Sequence, residues 1–444
     1  MKVLKVIHGY PERYSAGSEV YSQMLCHGLV EKGHQVTVFT RQENPYLQEY
    51  CVQREKDSMC PEIDVNLINM AHSTDAYRHD KVDLALNHLI QNNPFDLMHV
   101  GHLHHLSTSL INVAYQNNLP IVFTLHDFWL MCPKGQFLQV INSKGRELYP
   151  VCEYQEDKKC AINCYWRHFS SQNDQEDVQY WAKWVNKRMH YVKEMCSLVD
   201  LFIAPSKYLM ERFTKQFFIP EEKIVFLDYG FDLNRLKNRK RKKQEEFVFG
   251  YIGTHRQAKG IDYLIKAFSK IPKHSKLIIW GPPLGNFTQA LKRFVESDPS
   301  LTNRIEWRGG YQNGKIIGDV FNHIDCIVVP SIWGENSPLV IHEALQAKVP
   351  VITANYGGMQ EYIQHEVNGL LFKHRNINDL ACQMSRLVND PTFASSFTKQ
   401  GYLQSEDGNI PDMHHHVKSI LEIYEKILQT RRFSNEKRSM AHHI

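Results

Sequence analysis

The sequence predicts an α/β protein made of two doubly wound domains in tandem. Residues 1 to about 205 alternate short, almost continuously apolar runs with stretches of helical periodicity, and residues from about 245 to 405 repeat that alternation. Runs that stay apolar on both faces suit a parallel sheet covered by helices on each side. Between the halves, GFDLNRLKNRKRKKQEEF interrupts the pattern with a block of charge.

In the first half the predicted strands are VLKVI, QVTVFT, DLMHV, PIVFTL and LFIAPS, rich in Val, Ile, Leu and Phe. Between the first two, Val20, Met24, Leu25 and Leu29 recur at helical spacing. In the second half FVFGYIG, KLIIWG, IEWRGG, CIVVPS, PVITA and GLLF continue the series. Ligands of such sheets bind beyond the carboxyl ends of the strands, so a central cleft between two facing domains is the expected site. The basic run from Arg235 to Lys243 places seven basic side chains among nine residues. It reads as a solvated, self-repelling linker that serves as a hinge for domain closure. A contact with anionic lipid headgroups or an anionic glycan is the second reading. No nucleic-acid recognition motif accompanies the run, so no nucleic-acid partner is expected.

DMHHHVKSILEIYEKILQT carries Val417, Ile420, Leu421, Tyr424, Ile427 and Leu428 at helical spacing. His414, His415 and His416 read as surface residues ahead of that helix. From about Arg431 the chain reads as a polar, disordered tail. The expected organisation is a first domain over 1–228 with a Cys-bearing insertion at about 128–175 and a linker over 229–246. A second domain over 247–410, a terminal helix over 411–430 and a tail over 431–444 complete it.

The composition, 43% hydrophobic and 23% charged, is that of an ordinary globular protein. A chain of 444 residues is long enough for two or three full cores. Its apolar runs are strand length, short of a membrane span. The start, Met1-Lys2 followed by a strand, lacks a signal peptide's apolar core, so a cytoplasmic location is expected. A net charge of +4 points to no particular polyanion. Ten unevenly spaced cysteines do not make a disulfide framework.

The chemistry concentrates in PSIWGENSPLVIHEALQAKVPVITANYGG, residues 330–358. It reads as a strand end, a loop, a helix and a second strand. Pro338 falls at the expected first helical position, which leaves the amides around Ser337, Leu339 and Val340 for an anion such as phosphate. Glu343, about two turns in, is too far along to cap that end and is free to accept hydroxyls. Glu335 stands eight positions before it. An anion cradle beside polyol-binding carboxylates suits a sugar nucleotide. A glycoside-hydrolase acid and nucleophile pair is the alternative use of two carboxylates, but it leaves the cradle unexplained.

E-x7-E before a helix, then a PVI strand and a GG loop, resembles the family-four retaining glycosyltransferases of the GT-B fold. Further stretches follow that family's order: KVLKVIHGYPERYSAGSEVYSQML at the start, VFTLHDFW with its T-x-H, FGYIGTHRQAKGIDYLIKAF with its K-G, and GGMQEYIQHEVNGLLF. The resemblance covers nearly the whole chain outside the Cys-bearing insertion and the last residues. It implies that Lys259 contacts the donor phosphates, His126 and Glu335 the donor sugar, and Glu343 the nucleotide ribose. Gly17, lacking a Cβ, lets the first domain's backbone approach the diphosphate. The family usually places an Arg after the Gly that ends its strand. Here Thr254 follows Gly253, and the nearest cations are His255 and Arg256. GYPERYSAGS lacks G-x-G-x-x-G, which argues against a nicotinamide dehydrogenase.

His99, His102, His104 and His105 read as loop residues on the acceptor side. Cys132, Cys152, Cys160 and Cys164, spaced C-x19-C-x7-C-x3-C, read either as a structural zinc site or as unliganded thiols. No D-x-D is present to hold a catalytic metal, so no cofactor is expected for catalysis beyond the nucleotide-sugar substrate. The expected activity is retaining, metal-independent sugar transfer to a glycan, lipid-linked or small-molecule acceptor in polysaccharide or glycolipid synthesis, with peripheral inner-membrane contact as one setting. The rival is a non-catalytic nucleotide- or glycan-binding scaffold of the same fold. Other GT-B enzymes, such as a nucleotide-sugar epimerase or a phosphorylase, are a second.

Overall fold

A computed structural model of the protein describes residues 1–72, 77–143, 146–170, 174–241 and 245–441. The chain divides into two units. The first holds Met1–Gly135, Tyr154–Gly230 and Met413–Ile444, and the second holds Gln136–Glu153 and Phe231–Asp412.

In the first unit the strands are β1 (Lys2–Val6), β2 (Gln35–Gln42), β3 (Val52–Lys56), β4 (Asp64–Asn69), β5 (Leu97–Val100) and β6 (Ile121–Thr124). A small hairpin of β7 (Ile141–Ser143) and β8 (Arg146–Leu148) falls in the second unit. The first sheet is completed by β9 (Leu201–Ala204) and β10 (Ile224–Phe226). Its order is β10-β9-β6-β5-β1-β2-β4-β3, parallel throughout except where β3 meets β4. The winding reverses between β1 and β5, so those strand ends mark this unit's switch point. The second unit's sheet uses β11 (Phe247–Ile252), β12 (Ser275–Trp280), β13 (Ile305–Trp307), β14 (Cys326–Val329), β15 (Val351–Ala354) and β16 (Leu370–Phe372). The order β13-β12-β11-β14-β15-β16 is all parallel, and its winding reverses between β11 and β14. Both units are therefore doubly wound and Rossmann-like, as the apolar runs predicted.

Two glycines show how closely the second unit packs at its switch point. Gly260 has φ +67°, and a Cβ there would lie 1.9 Å from the Pro330 carbonyl oxygen. A Cβ on Gly358 would lie 1.5 Å from the Asn336 carbonyl oxygen, while its own amide donates to the Glu335 carbonyl at 2.7 Å. The K-G and GG pairs are thus contacts between backbones. Gly260→Ala combines left-handed strain with displacement of the Pro330 carbonyl, and should cost about 2 to 4 kcal/mol. A urea midpoint matching wild type would contradict that packing.

The basic run is not a solvated linker. Arg239 donates to the carbonyls of Phe321, Ile324 and Lys348 at 2.9, 2.7 and 3.0 Å, and Arg241 grips Asp325 through two bonds of 2.8 and 2.7 Å. Each arginine satisfies acceptors just before β14 and β15, two interior strands of the second sheet, so these arginines pack on that unit rather than standing in solvent. Lys242 and Lys243 lie outside the described residues.

The terminal helix runs from Met413 to Ala441, past the point where a polar tail was expected. Lys, Arg, Glu and Met are good helix formers, and the segment contains no Gly or Pro to stop it. Residues 442–444 of that expected tail lie outside the described residues. His416 sits inside the helix, 3% exposed, and meets the Tyr21 hydroxyl at 2.8 Å, whereas His414 and His415 are exposed. Val417 packs over Gly28, Tyr424 reaches His99, and Arg431 binds Asp200. His99 is therefore no loop residue. It lies on β5, fully buried, between Tyr424 at 2.5 Å and Thr124 at 2.7 Å. Among the described residues no helix is long and apolar enough to cross a membrane.

Candidate functional site

In the second unit the residues after β11 and after β14 converge. Lys259 ends a short 3-10 turn, Gln257–Lys259, and Gly260 turns the chain into the helix Ile261–Phe268. The Lys259 Nζ donates to Glu335 Oε1 at 2.7 Å. The same oxygen accepts from Ser331 Oγ at 2.6 Å and Trp333 Nε1 at 2.9 Å. Glu335 is 7% exposed, so three donors hold its carboxylate in a mostly dry setting. Lys259 keeps a third of its side chain open, which leaves its ammonium available to a second anion.

The next helix, Leu339–Gln346, starts one residue later than predicted. Pro338 is its N-cap, with extended backbone and no side-chain capping bond. The expectation put Pro338 inside the helix. Its ψ of 114° ends that possibility, because a residue with that ψ is outside the helical region. The cradle shifts accordingly to the first-turn amides of Leu339 and Val340, both part-exposed, with the dipole behind them. Ser337 stands just ahead, 6% exposed.

Glu343, 3% exposed on this helix, is not the free carboxylate the sequence suggested. Its Oε1 accepts from Arg235 Nη2 at 2.5 Å. The residues flanking Lys259 supply no second cation to that cluster. Arg256 is exposed and makes no ion pair among the described residues. His255 is 3% exposed, with Nδ1 3.3 Å from Thr288 Oγ1 and its ring against Trp307. Burial lowers its pKa, then the nearby Lys292 charge adds to the effect, so it stays neutral.

In the first unit, β1 leads into His8 and β5 into His102. His8 Nε2 lies 3.3 Å from Glu19 Oε1, and His102 Nε2 lies 3.2 Å from Asp127 Oδ1. The two rings approach at 4.4 Å between centroids. His126 follows β6, part-buried, with Nδ1 2.6 Å from the Tyr229 hydroxyl. Tyr229 stacks along its ring and Tyr21 meets its face edge-on. Burial holds His126 well below the usual histidine pKa, and the Lys5, His102 and His8 charges push the same way. His126 is therefore a neutral hydrogen-bonding group at physiological pH. A small, partly open cleft is lined by His102, His126, Asp127 and Trp129, among others. Gly17 is exposed and opens the helix Gly17–Glu31, whose N-cap Ala16 supplies no side-chain acceptor to the first-turn amides.

Among the described residues no group of three or more His, Cys, Asp or Glu side chains is placed to hold a metal ion. Cys160 and Cys164 share the helix Asp157–Cys164, and the Cys152 amide donates to the Phe137 carbonyl. The zinc reading of Cys132, Cys152, Cys160 and Cys164 is therefore dropped.

Arg235, Tyr229, Ser331 and Trp333 did not emerge as site residues from the sequence. Ser331 and Trp333 were within reach, since S-x-W-x-E directly after a strand places three side chains around one turn. Arg235 was hidden in the charge block.

Two family profiles match the chain, Glycosyltransferase Family 4 over residues 15–235 and Glycosyl transferases group 1 over residues 233–404. An uncharacterized glycosyltransferase of Methanocaldococcus jannaschii is 24% identical over 410 residues, covering 88% of this chain and 90% of that protein. The Escherichia coli UDP-Gal:alpha-D-GlcNAc-diphosphoundecaprenol alpha-1,3-galactosyltransferase is 26% identical over 194 residues, 40% of this chain and 48% of that protein. Among solved structures, Anabaena HepE in complex with UDP and glucose matches with TM-score 0.66 and 16% identity, covering 96% of this chain and 99% of that one. The sucrose-phosphate synthase of Thermosynechococcus elongatus matches with TM-score 0.63 and 18% identity over 99% of both chains. The profiles follow one another along residues 15–404 on two Rossmann-like units, and the chain belongs to the family-four glycosyltransferases of the GT-B fold, enzymes that transfer a sugar from a nucleotide sugar.

Proposed function

We propose that the protein is a retaining, metal-independent hexosyltransferase that moves its sugar to an acceptor hydroxyl in cell-surface polysaccharide or glycolipid synthesis. The observation that carries this reading is the Lys259–Glu335 pair at the β11/β14 switch point, beside the helix that bears Glu343. Lys259 and the amides of Leu339 and Val340 offer positive charge to a departing diphosphate. Glu335 is assigned to the donor sugar and Glu343 to the ribose. His126 is assigned to the donor sugar as a neutral donor or acceptor, and Gly17 to the diphosphate. Arg256 is exposed and free to swing toward phosphate. In the transfer, the bond between the anomeric carbon and the diphosphate oxygen breaks and the acceptor oxygen bonds on the same face. The acceptor proton passes to the departing phosphate.

The Escherichia coli relative is named for a lipid-diphosphate-linked acceptor. That name supports a lipid-linked or glycan acceptor here, met from the cytoplasmic side at the membrane face. Calorimetric titration with UDP, GDP, ADP and CMP tests the donor assignment. One nucleotide should bind tightly, and Glu343→Ala should weaken it at least about tenfold, the scale of a lost charged hydrogen bond. No binding by folded wild-type protein would favour the scaffold reading instead. Product NMR at the anomeric carbon then reads retention directly.

A further inference from the structure

The contact that the sequence did not foresee is Arg235 with Glu343. Both side chains are under one-tenth exposed, at 8% and 4%. Arg235 follows Asn234 in a short 3-10 turn, Asn234–Leu236, whose amide at Asn234 is held by Asp232 and whose Leu236 is buried. Arg235 Nη1 donates to the Asn313 carbonyl at 3.1 Å and to Asn313 Oδ1 at 2.9 Å, and Nη2 donates to Glu343 Oε1 at 2.5 Å. Four and six residues on, Arg239 and Arg241 anchor the same strap to Ile324 and Asp325, just ahead of the interior strand β14. The guanidinium is thus fixed from two sides and has little freedom to leave.

A buried ion pair is weak evidence of a stabilising role, because desolvation offsets most of its attraction. This pair is also not fully used as a structural bridge. Arg235 Nε is buried with no hydrogen-bond partner among the described residues. On Glu343, Oε1 is occupied and Oε2 accepts no hydrogen bond among the described residues. A carboxylate held at one oxygen cannot rotate to offer either face. It presents one fixed acceptor instead.

We infer that Arg235 is a positioning residue of the nucleotide site: by holding Oε1 of Glu343 it leaves Oε2 set to accept a ribose hydroxyl, and so makes the site prefer ribonucleotides to deoxyribonucleotides. The inference deepens the donor assignment above and rests on it. The neutralised carboxylate also repels the neighbouring diphosphate less than an unpaired one would, so the ribose end and the phosphate end of one ligand can be bound together.

The test is calorimetric titration of wild type, Arg235→Met and Arg235→Lys with UDP, GDP and ADP, their 2′-deoxy and 3′-deoxy counterparts, and inorganic pyrophosphate. Wild type should bind its ribonucleotide about tenfold or more tightly than at least one deoxy counterpart. In Arg235→Met that ratio should fall toward one, because ribonucleotide affinity drops to the deoxynucleotide level while pyrophosphate affinity is kept, and Arg235→Lys should restore part of the ratio. An unchanged ratio in Arg235→Met overturns the inference. So do equal losses for all three ligand classes, which would make the pair structural, and so does a wild type indifferent to the ribose hydroxyls. If wild type binds none of the diphosphates, the donor assignment itself falls, a result distinct from any of these.

Discussion

Lys259→Ala should lower kcat/KM for sugar transfer by about 10² to 10³-fold, the range seen when one preorganised charge-stabilising donor is removed from an active site. The fall should sit mainly in kcat, because the ammonium matters most as charge builds on the departing diphosphate. The fold should survive. A third of the Lys259 side chain is open to solvent, and Glu335 keeps Ser331 and Trp333 as partners when the ammonium is gone. Circular dichroism and a urea midpoint close to wild type would separate lost catalysis from lost structure. Transfer at the wild-type rate by a folded Lys259→Ala protein would remove Lys259 from the site.

Lys5→Met should stabilise the protein at neutral pH by about 3 kcal/mol, raising the thermal midpoint by several degrees. Lys5 lies toward the end of β1, 1% exposed, in register with His99, and its Nζ has no hydrogen-bond partner among the described residues. Burial lowers its pKa from 10.5 to about 8. The unfolded chain holds this proton up to about pH 10.5, whereas the folded chain gives it up near pH 8. Between those values the unfolded state binds more protons, so wild-type stability rises with pH. Below about pH 8 both states are charged and the full penalty is present. The advantage of Lys5→Met should therefore be largest at pH 7 and shrink between pH 8 and 10.5. Paired thermal melts of variant and wild type across that window give the comparison. A gap that does not move with pH, or a loss of stability in the variant, would show that the buried ammonium has a stabilising partner.

A group that costs this much is usually kept for a reason. Lys5 is the foremost charge acting on His126 after burial itself, and it acts in the same direction on His99. Its field helps hold both imidazoles neutral.

The doubly wound order was legible because each central strand is apolar on both faces, a property that survives without knowledge of tertiary contacts. The missed strands are those where that property fails. β3, Val52–Lys56, is an edge strand exposed along its whole length, and VQREK reads as loop. β4 carries Asn66 and Asn69 inward, where Asn69 ties down the 44–48 loop through its amide, so its pattern looks broken. At the site, spacing brought Glu335 to the helix start, while Lys259 was placed there by the family resemblance; the two meet because both loops are short and follow adjacent strands. Arg235 was lost because nothing in a charge run tells which members face solvent. The answer depends on acceptors at Asn313, Ile324, Asp325 and Glu343, all far along the chain.

The helix Met413–Ala441 has a consequence for how the protein is made. It supplies His416 to Tyr21, Val417 to Gly28 and Tyr424 to His99, all in the unit that begins at Met1. On the ribosome these partners emerge first and then wait, on the order of tens of seconds at ordinary elongation rates, for the last segment to arrive. In that interval the second unit, continuous from Phe231 to Asp412 apart from its small hairpin segment, has nearly all of its chain to hand. The unit whose synthesis begins first is therefore completed last. Nascent chains interrupted before residue 413 would display the uncovered Tyr21, Gly28 and His99 surface to chaperones, and to one another.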